Sequence, residues 1–140
     1  MAQINAYITF NGNCREAMNF YKDCFGGELT LQTVEGTPME SQCPPAMKHH
    51  LMHAMLMNED LVLMGTDMVG KGGFIQGTNM ALALNCNTAD ETNSFFNYLA
   101  REGQVTHPLA EMFWGSTFGS LVDKYGIAWL FNFDKNQQKN

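Results

Sequence analysis

The sequence predicts an α+β fold built from two β-α-β-β-β modules in tandem. A strand pattern, a capped amphipathic helix and a second strand pattern occur twice, and the two copies align when the N-cap positions, Asn13 and Thr88, are matched. In each copy, two further short strand patterns follow and are joined by a turn. A complete supersecondary unit that recurs in one register indicates an internal duplication.

The first predicted helix lies between Asn13 and Gly26. Asn13 as N-cap with Glu16 three positions later has the spacing of a capping box, in which each side chain bonds the other residue's backbone N–H. Apolar residues then recur on one side of the helix: Ala17, Phe20 and Tyr21. Gly26 and Gly27 end the helix, because glycine readily adopts the left-handed conformation found at helix C-termini.

The strand patterns of the first module flank this helix and then form a hairpin: residues 6–11, 28–34, 51–57 and 61–67. The last two are separated by "NED", a sequence with turn-forming residues. The connection over residues 34–48 is too long for a plain hairpin. This segment is either a lid, with Met39 and Met47 closing over an apolar ligand, or disordered.

The second module repeats this organisation. Thr88 is the predicted N-cap with Glu91 three positions later, Phe95 and Phe96 supply the apolar side, and Gly103 ends the segment. The strand patterns of this module are residues 79–85, 104–109, 115–123 and 127–133.

Alternation in these strands separates a packing face from a smaller, partly polar face. The bulky positions predicted to face a helix are Met80, Leu82 and Leu84, then Ile127, Trp129, Phe131 and Phe133. The opposite positions are Asn79, Ala81, Ala83 and Asn85, then Ala128, Leu130 and Asn132. A cleft lined by the second kind of face is the expected ligand site.

Length and composition predict one domain over residues 1–140, with a first module at 1–67, a linker at 68–77 and a second module at 78–140. The net charge of −6 and the lack of a basic cluster argue against nucleic acid and anionic membrane surfaces as partners. No apolar run approaches the ~18 residues of a transmembrane helix. Without a secretory-signal pattern, a cytoplasmic protein with reduced cysteines is expected.

Two segments resemble a known family. "FNGNCREAMNFYKDCFGGEL" (residues 10–29) and "FWGSTFGSLVDKYGIAWLFN" (residues 113–132) are similar to the PhnB-like branch of the vicinal oxygen chelate superfamily, which includes glyoxalase I, extradiol dioxygenases and bleomycin resistance proteins. The resemblance covers about residues 4–133. It implies paired β-α-β-β-β modules around a cleft, and a homodimer, because modules of this superfamily often pair across subunits.

The resemblance also implies where a metal ion would bind. Metal enzymes of the superfamily carry His, Gln or Glu ligands on the first and fourth strands of each module. The matching positions here fall near Ala6, Met64, Asn79 and Leu130. Ala, Met and Leu are not ligands for a hard divalent ion, and Asn is a weak one, so no cofactor is expected.

Three histidines precede or begin the third strand pattern: His49, His50 and His53. On a helix, His49 and His53 would share one side, as in zinc enzymes. In the strand that the alternation predicts, they lie ~13 Å apart at ~3.3 Å per residue, too far for one ion. His53 is instead a candidate acid, base or hydrogen-bond donor in the cleft. This branch is sometimes given a methyltransferase name, but the sequence contains no nucleotide-binding or S-adenosylmethionine-binding motif that would support it.

Trp114 and Phe118 precede the last hairpin, where they are either core residues or, by the resemblance, aromatic walls of the cleft. The predicted ligand-binding residues are His53, Met64, Asn79, Trp114, Phe118 and Leu130. The first hypothesis is a metal-free protein that binds a small, largely apolar molecule. The alternatives are a lyase, isomerase or dioxygenase with an atypical divalent-metal site, and a structural or regulatory dimer.

Overall fold

The computed structural model describes residues 1–135 and contains two four-stranded sheets, each accompanied by an α-helix. The chain divides into two compact units, with the boundary between Ile75 and Gln76. The first unit contains β1 (Ala6–Thr9), α1 (Cys14–Phe25), β2 (Glu28–Thr33), β3 (Leu51–Asn58) and β4 (Leu61–Thr66). The second contains β5 (Leu82–Asn85), α2 (Ala89–Leu99), β6 (Gln104–Glu111), β7 (Ser116–Val122) and β8 (Ala128–Asp134). The predicted α+β fold of two β-α-β-β-β modules is confirmed, and the end of the predicted second module, positions 136–140, lies outside the described residues.

Both sheets have the same topology. Their strand orders are β1-β4-β3-β2 and β5-β8-β7-β6. In each, the first and last strands of the module pair in parallel, and the remaining pairs are antiparallel. The parallel pair requires a crossover, which the helix and hairpin supply. The second unit therefore repeats the architecture of the first, as the duplicated sequence pattern predicts.

One face of the first sheet packs against α1. The helix contributes the predicted stripe, with Ala17, Phe20 and Tyr21 all buried. The sheet contributes Ala54, Leu56 and Leu63, which are also buried. At Gly65 the approach is so close that an added Cβ would lie 3.1 Å from the Sγ atom of Cys14. These contacts form the core of the unit, and α1 leaves the opposite face of the sheet uncovered.

The second sheet packs its bulky face in the same way. Trp129, Phe131 and Phe133 are buried as predicted, and the rings of Phe131 and Phe96 meet edge to face at 5.1 Å between centroids. Leu130, between them in sequence, is on the other face and is 38% exposed. The alternation in β8 therefore sorts its residues as the sequence predicts.

The two helices are capped differently. Thr88 caps α2 as predicted, because its hydroxyl accepts the backbone N–H of Glu91 at 3.0 Å. Asn13 is the N-cap residue of α1 as predicted, and its carbonyl accepts the N–H of Ala17 at 3.0 Å, but its side chain makes no capping hydrogen bond within the described residues 1–135. The backbone N–H of Cys14 is instead accepted by the carboxylate of Asp67, which follows β4. The side-chain acceptor at the start of α1 is thus supplied by a tertiary contact.

Strand β5 begins later than predicted. It starts at Leu82, so Asn79 lies in a bend before the strand. Met80 is 79% exposed instead of packed against a helix. The bulky face predicted for this strand therefore begins at Leu82.

The first strands of the two units are shifted relative to their helices. The register pairs Tyr7 with Met64 in the first sheet and Ala83 with Leu130 in the second, so Tyr7 corresponds to Ala83. Matching the two helices would instead place Tyr7 opposite Leu82. Such a one-residue slip exchanges the two faces of a strand.

The connection between β2 and β3 follows a defined path. Its ends are joined by backbone hydrogen bonds from Val34 to His50 and from Glu35 to Lys48. Two short 3-10 turns, Glu40–Gln42 and Pro45–Met47, occupy its middle. This geometry agrees with an ordered segment, and closure of the segment as a lid stays a prediction.

Across residues 1–135, neither helix has the length and apolar character that crossing a bilayer requires.

Candidate functional site

The face of the first sheet that points away from α1 carries an unusual set of side chains. In β4, Leu63 and Gly65 contact the helix side, so Met64 projects from the opposite face. The register then places Tyr7 and Met55 beside Met64. We call this surface the open face of the first sheet. Its residues, by register, are Tyr7, Thr9, Glu28, Thr30, Gln32, His53, Met55, Met57, Val62, Met64 and Thr66.

Tyr7 and His53 form an aromatic pair on the open face. Their ring centroids lie 5.9 Å apart with an interplanar angle of 34°. Tyr7 is 54% exposed, and His53 is half-buried. Among residues 1–135, no group hydrogen-bonds the hydroxyl of Tyr7 or the ring nitrogens of His53. Both polar groups are therefore available to a ligand.

Neighbouring polar side chains on the open face are already engaged. The hydroxyl of Thr66 donates to the carbonyl of Met52 at 2.8 Å and accepts the N–H of Met68 at 3.0 Å. Gln32 pairs with His53 across β2 and β3, and its amide nitrogen donates to the carbonyl of Thr33 at 2.9 Å. Tyr7, His53 and the exposed Thr9 are therefore the residues of this face left for polar recognition, and Tyr7 and His53 lie side by side.

The residues that make up the open face of the first sheet include no lysine or arginine. The charged member of the set is Glu28, at the start of β2. Carboxylate and phosphate ligands depend on cationic partners or on clusters of backbone N–H groups. The surface therefore favours uncharged ligands.

The positions that carry metal ligands in the superfamily do not fit a hard divalent ion here. The register replaces Ala6 by Tyr7 as the partner of Met64, and Asn79 by Ala83 as the partner of Leu130. A thioether, two alkyl groups and a phenol are poor donors for such an ion. Within residues 1–135, no three His, Cys, Asp or Glu side chains come together as a metal site.

The histidine run lies at the start of β3, as the strand interpretation requires. His49 and His50 precede the strand, and His53 is within it. The Nδ1 atom of His49 lies 4.0 Å from a carboxylate oxygen of Glu35. The Nδ1 atom of His50 is buried and has no hydrogen-bond partner among the described residues 1–135, and its ring would lie 3.7 Å from a Cβ added at Gly12. The helical pairing of His49 with His53 is excluded by the strand.

The second sheet has an open face of different chemistry. Phe118 and Leu130 lie there on neighbouring strands, in register with Asn132 and Ser120. The ring of Phe118 contacts His107 at 5.4 Å between centroids. The hydroxyls of Ser120 and Thr106 are hydrogen-bonded at 2.6 Å. This face is partly apolar, with Asp134 at the end of β8, and two of its hydroxyl groups are bonded to each other.

The predicted site residues are distributed over several places. His53 and Met64 lie on the open face of the first sheet, while Phe118 and Leu130 lie on that of the second. Trp114 is in the turn between β6 and β7, where it is 56% exposed and meets Phe113 edge to face at 4.8 Å. A core position for Trp114 is therefore wrong.

Sequence reasoning missed Tyr7 and Met55. The alternation in "AYITF" contains the signal for Tyr7, because every second residue of a strand shares a face. Aligning β1 with β5 in the register of the helices concealed it. Met55 follows from its pairing with Met64, which sequence alone does not supply.

The model of a protein family described as 3-demethylubiquinone-9 3-methyltransferase matches residues 2–131. The chain belongs to this PhnB-like family. A solved structure of protein PA1353 from Pseudomonas aeruginosa is 34% identical, with 96% of this chain and 98% of that chain covered and a TM-score of 0.83. A PhnB protein from Bacillus cereus is 26% identical, with 94% and 99% covered and a TM-score of 0.72.

The PhnB-like chain also shares its fold with a wider group. A glyoxalase/bleomycin resistance protein/dioxygenase family enzyme from Burkholderia phytofirmans matches with a TM-score of 0.62, covering 92% of this chain and 97% of that one. Its sequence identity of 13% bears on the fold alone. The predicted membership of the PhnB-like family is confirmed, and the likeness to the wider superfamily is confirmed at the level of the fold.

Proposed function

We propose that this PhnB-like protein binds a small, largely apolar molecule on the open face of the first sheet, without a divalent metal ion. The observation that carries the proposal is the exposed ring of Tyr7 beside the half-buried side chains of Met64 and His53. A large aromatic side chain exposed on a sheet face, next to thioethers, provides apolar area for a ligand to cover. Ligand sites are commonly apolar surfaces with a few polar groups.

The methionines of this face suit an adaptable apolar contact. Met55 and Met64 are paired in register on adjacent strands, and both are half-buried. An unbranched thioether adjusts its shape to different ligands and makes favourable contacts with aromatic rings. The two thioethers beside Tyr7 therefore support binding of a flat apolar molecule.

A titration with Nile red, an uncharged fluorescent dye, tests the proposal. The wild-type protein is expected to bind the dye saturably. Met64→Gln keeps the approximate volume of the side chain but adds an amide, and is expected to weaken binding by about tenfold, because that amide loses water without gaining a partner. Met80→Gln, the same change at an exposed methionine outside the sheets, is the matched control and should leave binding unchanged.

Failure of the wild-type protein to bind the dye saturably would overturn the proposal. Equal weakening by Met64→Gln and Met80→Gln would show that dye binding occurs elsewhere on the chain. Either result would remove the open face of the first sheet as the candidate site.

The metal-free part of the proposal has its own test. Protein purified without chelator or nickel resin is analysed for metal and then titrated with Zn²⁺, Ni²⁺, Mn²⁺ and Fe²⁺. No stoichiometric metal and no rise in melting temperature are expected, since the side chains at the superfamily's ligand positions are poor donors. Tight, saturable metal binding would favour the alternative of a metal-dependent lyase, isomerase or dioxygenase.

We also propose that the protein is a cytoplasmic homodimer. The superfamily resemblance supports the dimer, and no disulfide joins any of the four cysteines, which suits a reducing compartment. Sedimentation equilibrium tests the assembly, and a monomer at micromolar concentration would contradict it.

A further inference from the structure

We infer that the ligand of the open face is an uncharged, planar aromatic molecule that bears a hydroxyl group, and that this hydroxyl is hydrogen-bonded by Tyr7 and His53. The inference rests on the proposed function and specifies its ligand class. Four features of the first unit support it. Two polar groups have no hydrogen-bond partner among residues 1–135, and two neighbouring polar side chains are already hydrogen-bonded. The residues of the face include no lysine or arginine, and a row of apolar side chains crosses the sheet.

The unpartnered groups are the phenol of Tyr7 and the imidazole of His53. With ring centroids 5.9 Å apart, their polar atoms can approach one ligand atom together. A phenol and an imidazole can each donate and accept, so they match a hydroxyl, which also does both. The ring nitrogens of His53 are not among the buried, unsatisfied atoms of residues 1–135, so a ligand hydroxyl would replace water at the imidazole.

Two neighbouring polar side chains are already hydrogen-bonded, which reduces the polar groups available to a ligand beside this pair. Thr66 uses its hydroxyl as both donor and acceptor within the sheet, and the amide nitrogen of Gln32 is bound to a backbone carbonyl. A ligand with several polar groups would have to break these bonds. One hydroxyl directed at Tyr7 and His53 requires no such rearrangement.

The charge of the surface disfavours anions. The residues that define the open face include neither lysine nor arginine, and their charged member is Glu28. A carboxylate or sulfonate on the ligand would lose water without a cationic partner. The same aromatic ring is therefore expected to bind better with a hydroxyl than with a carboxylate.

The row of apolar side chains on the open face indicates the shape of the ligand. Tyr7, Met64 and Met55 are aligned by register across β1, β4 and β3. Two interstrand spacings of ~4.8 Å make this row about 10 Å long, which suits a bicyclic aromatic ring. Thioethers contact aromatic rings favourably, so a planar ring covers this row better than a branched aliphatic molecule of similar size.

Calorimetric titrations with three naphthalenes test the inference. The probes are 2-naphthol, which has a hydroxyl; 2-methoxynaphthalene, which can only accept; and 2-naphthoate, which is an anion. We expect 2-naphthol to bind the wild-type protein about fivefold more tightly than the methoxy compound, as one net hydrogen bond allows. The naphthoate is expected to bind most weakly.

The variants separate hydrogen bonding from packing. Tyr7→Phe deletes one oxygen, and His53→Phe keeps a ring of similar area. The ligand hydroxyl has one proton, which one of the two residues accepts, and loss of that residue is expected to reduce the preference for 2-naphthol over 2-methoxynaphthalene to about twofold or less, with little change in the affinity for the methoxy compound. Loss of the other residue, which donates to the ligand oxygen, is expected to weaken the binding of both compounds. His107→Phe, the same change on the second sheet, is the matched control and should keep the full preference.

Each contrary outcome has a distinct meaning. If Nile red binds but the three naphthalenes bind equally, the inference is overturned and the proposed function stands. If neither Nile red nor any naphthalene binds, the proposed function fails and the inference with it. If binding appears only at concentrations where sedimentation shows a monomer, a second copy of the chain covers this face, and the inference is overturned.

Discussion

Asp67 and Cys14 are joined by a hydrogen bond of 2.9 Å, in which the Oδ1 atom of Asp67 accepts the backbone N–H of Cys14. The Oδ2 atom of the same carboxylate accepts the N–H of Leu51, also at 2.9 Å. Asp67 is 3% exposed, so both bonds lie in the interior. One side chain thus connects the first turn of α1, the start of β3 and the end of β4.

Replacement of Asp67 is expected to destabilise the protein strongly. Asp67→Ala should lower the free energy of unfolding by about 3 kcal/mol, because two buried N–H groups lose a charged acceptor. Asp67→Asn retains one acceptor and should cost less. Urea denaturation measures both, with Asp23→Ala, at an exposed position of α1, as the control. Equal stability of the Asp67 and Asp23 alanine variants would contradict the role of this carboxylate.

The two predicted N-caps should respond differently to alanine. Thr88→Ala is expected to cost about 1 kcal/mol, since the hydroxyl accepts the N–H of Glu91. Asn13→Ala should cost only a few tenths of that, because Asp67 performs the capping at that helix. Thermal unfolding of the two variants, side by side, provides the comparison. A larger loss at Asn13 than at Thr88 would show that the caps are assigned wrongly.

The difference between these caps shows what the sequence can predict. Helix periodicity, strand alternation and the duplication are local or regular patterns, so both helices and all eight strands were anticipated. The cap by Asp67 joins residues separated by 53 positions, and no local pattern signals such a contact. Local motifs propose a partner, and tertiary structure decides whether it is used.

The candidate site was predictable to a similar degree. Met64 was assigned to the cleft through the ligand positions that the superfamily resemblance implies, and His53 as a candidate acid, base or hydrogen-bond donor; the register places both on the open face of the first sheet. Tyr7 was missed because the first strands of the two units are shifted by one position relative to the alignment of the helices, and Asn79 was misplaced because β5 begins only at Leu82. An alignment of two long repeats does not reveal a shift of one residue, but such a shift exchanges the two faces of a strand.

Gly27 and Gly103 should resist substitution, since each precedes the second strand of its unit. A Cβ added at Gly27 would overlap the carbonyl oxygen of Met57, and one at Gly103 would overlap that of Val122. Gly27 also has a φ of 91°, which L side chains rarely adopt. Alanine at either site is expected to cost about 2 kcal/mol or more, measured by urea denaturation.

Gly72 is the matched control for these two glycines. An added Cβ there meets no atom within 4 Å. Gly72→Ala should leave the stability unchanged or slightly raised, because alanine reduces the conformational freedom of the unfolded chain. Comparable losses at all three glycines would mean that the close backbone approach is not what selects glycine.

Burial should make Cys14 the least reactive thiol of the chain. Desolvation, with a smaller contribution from the charge of Asp67, raises the pKa of Cys14 from 9.0 to about 12. Only the thiolate reacts, so at pH 8 iodoacetamide should alkylate the half-buried Cys24 and Cys43 well before Cys14. Mass spectrometry of digests over time gives the order, and in denaturing urea all four cysteines should react at similar rates.

The same shift in the pKa of Cys14 makes stability depend on pH. The unfolded chain loses the thiol proton near pH 9, whereas the folded chain holds it to about pH 12. Between these values the folded state binds more protons, so the free energy of unfolding falls as the pH rises, by at most about 1.4 kcal/mol per pH unit for this group. Cys14→Ala removes the group, and its loss of stability between pH 9 and 10.5 should be smaller than that of the wild-type protein. Alkylation of Cys14 as fast as Cys43, together with an unchanged pH dependence in the variant, would show that the thiol is accessible in the folded protein.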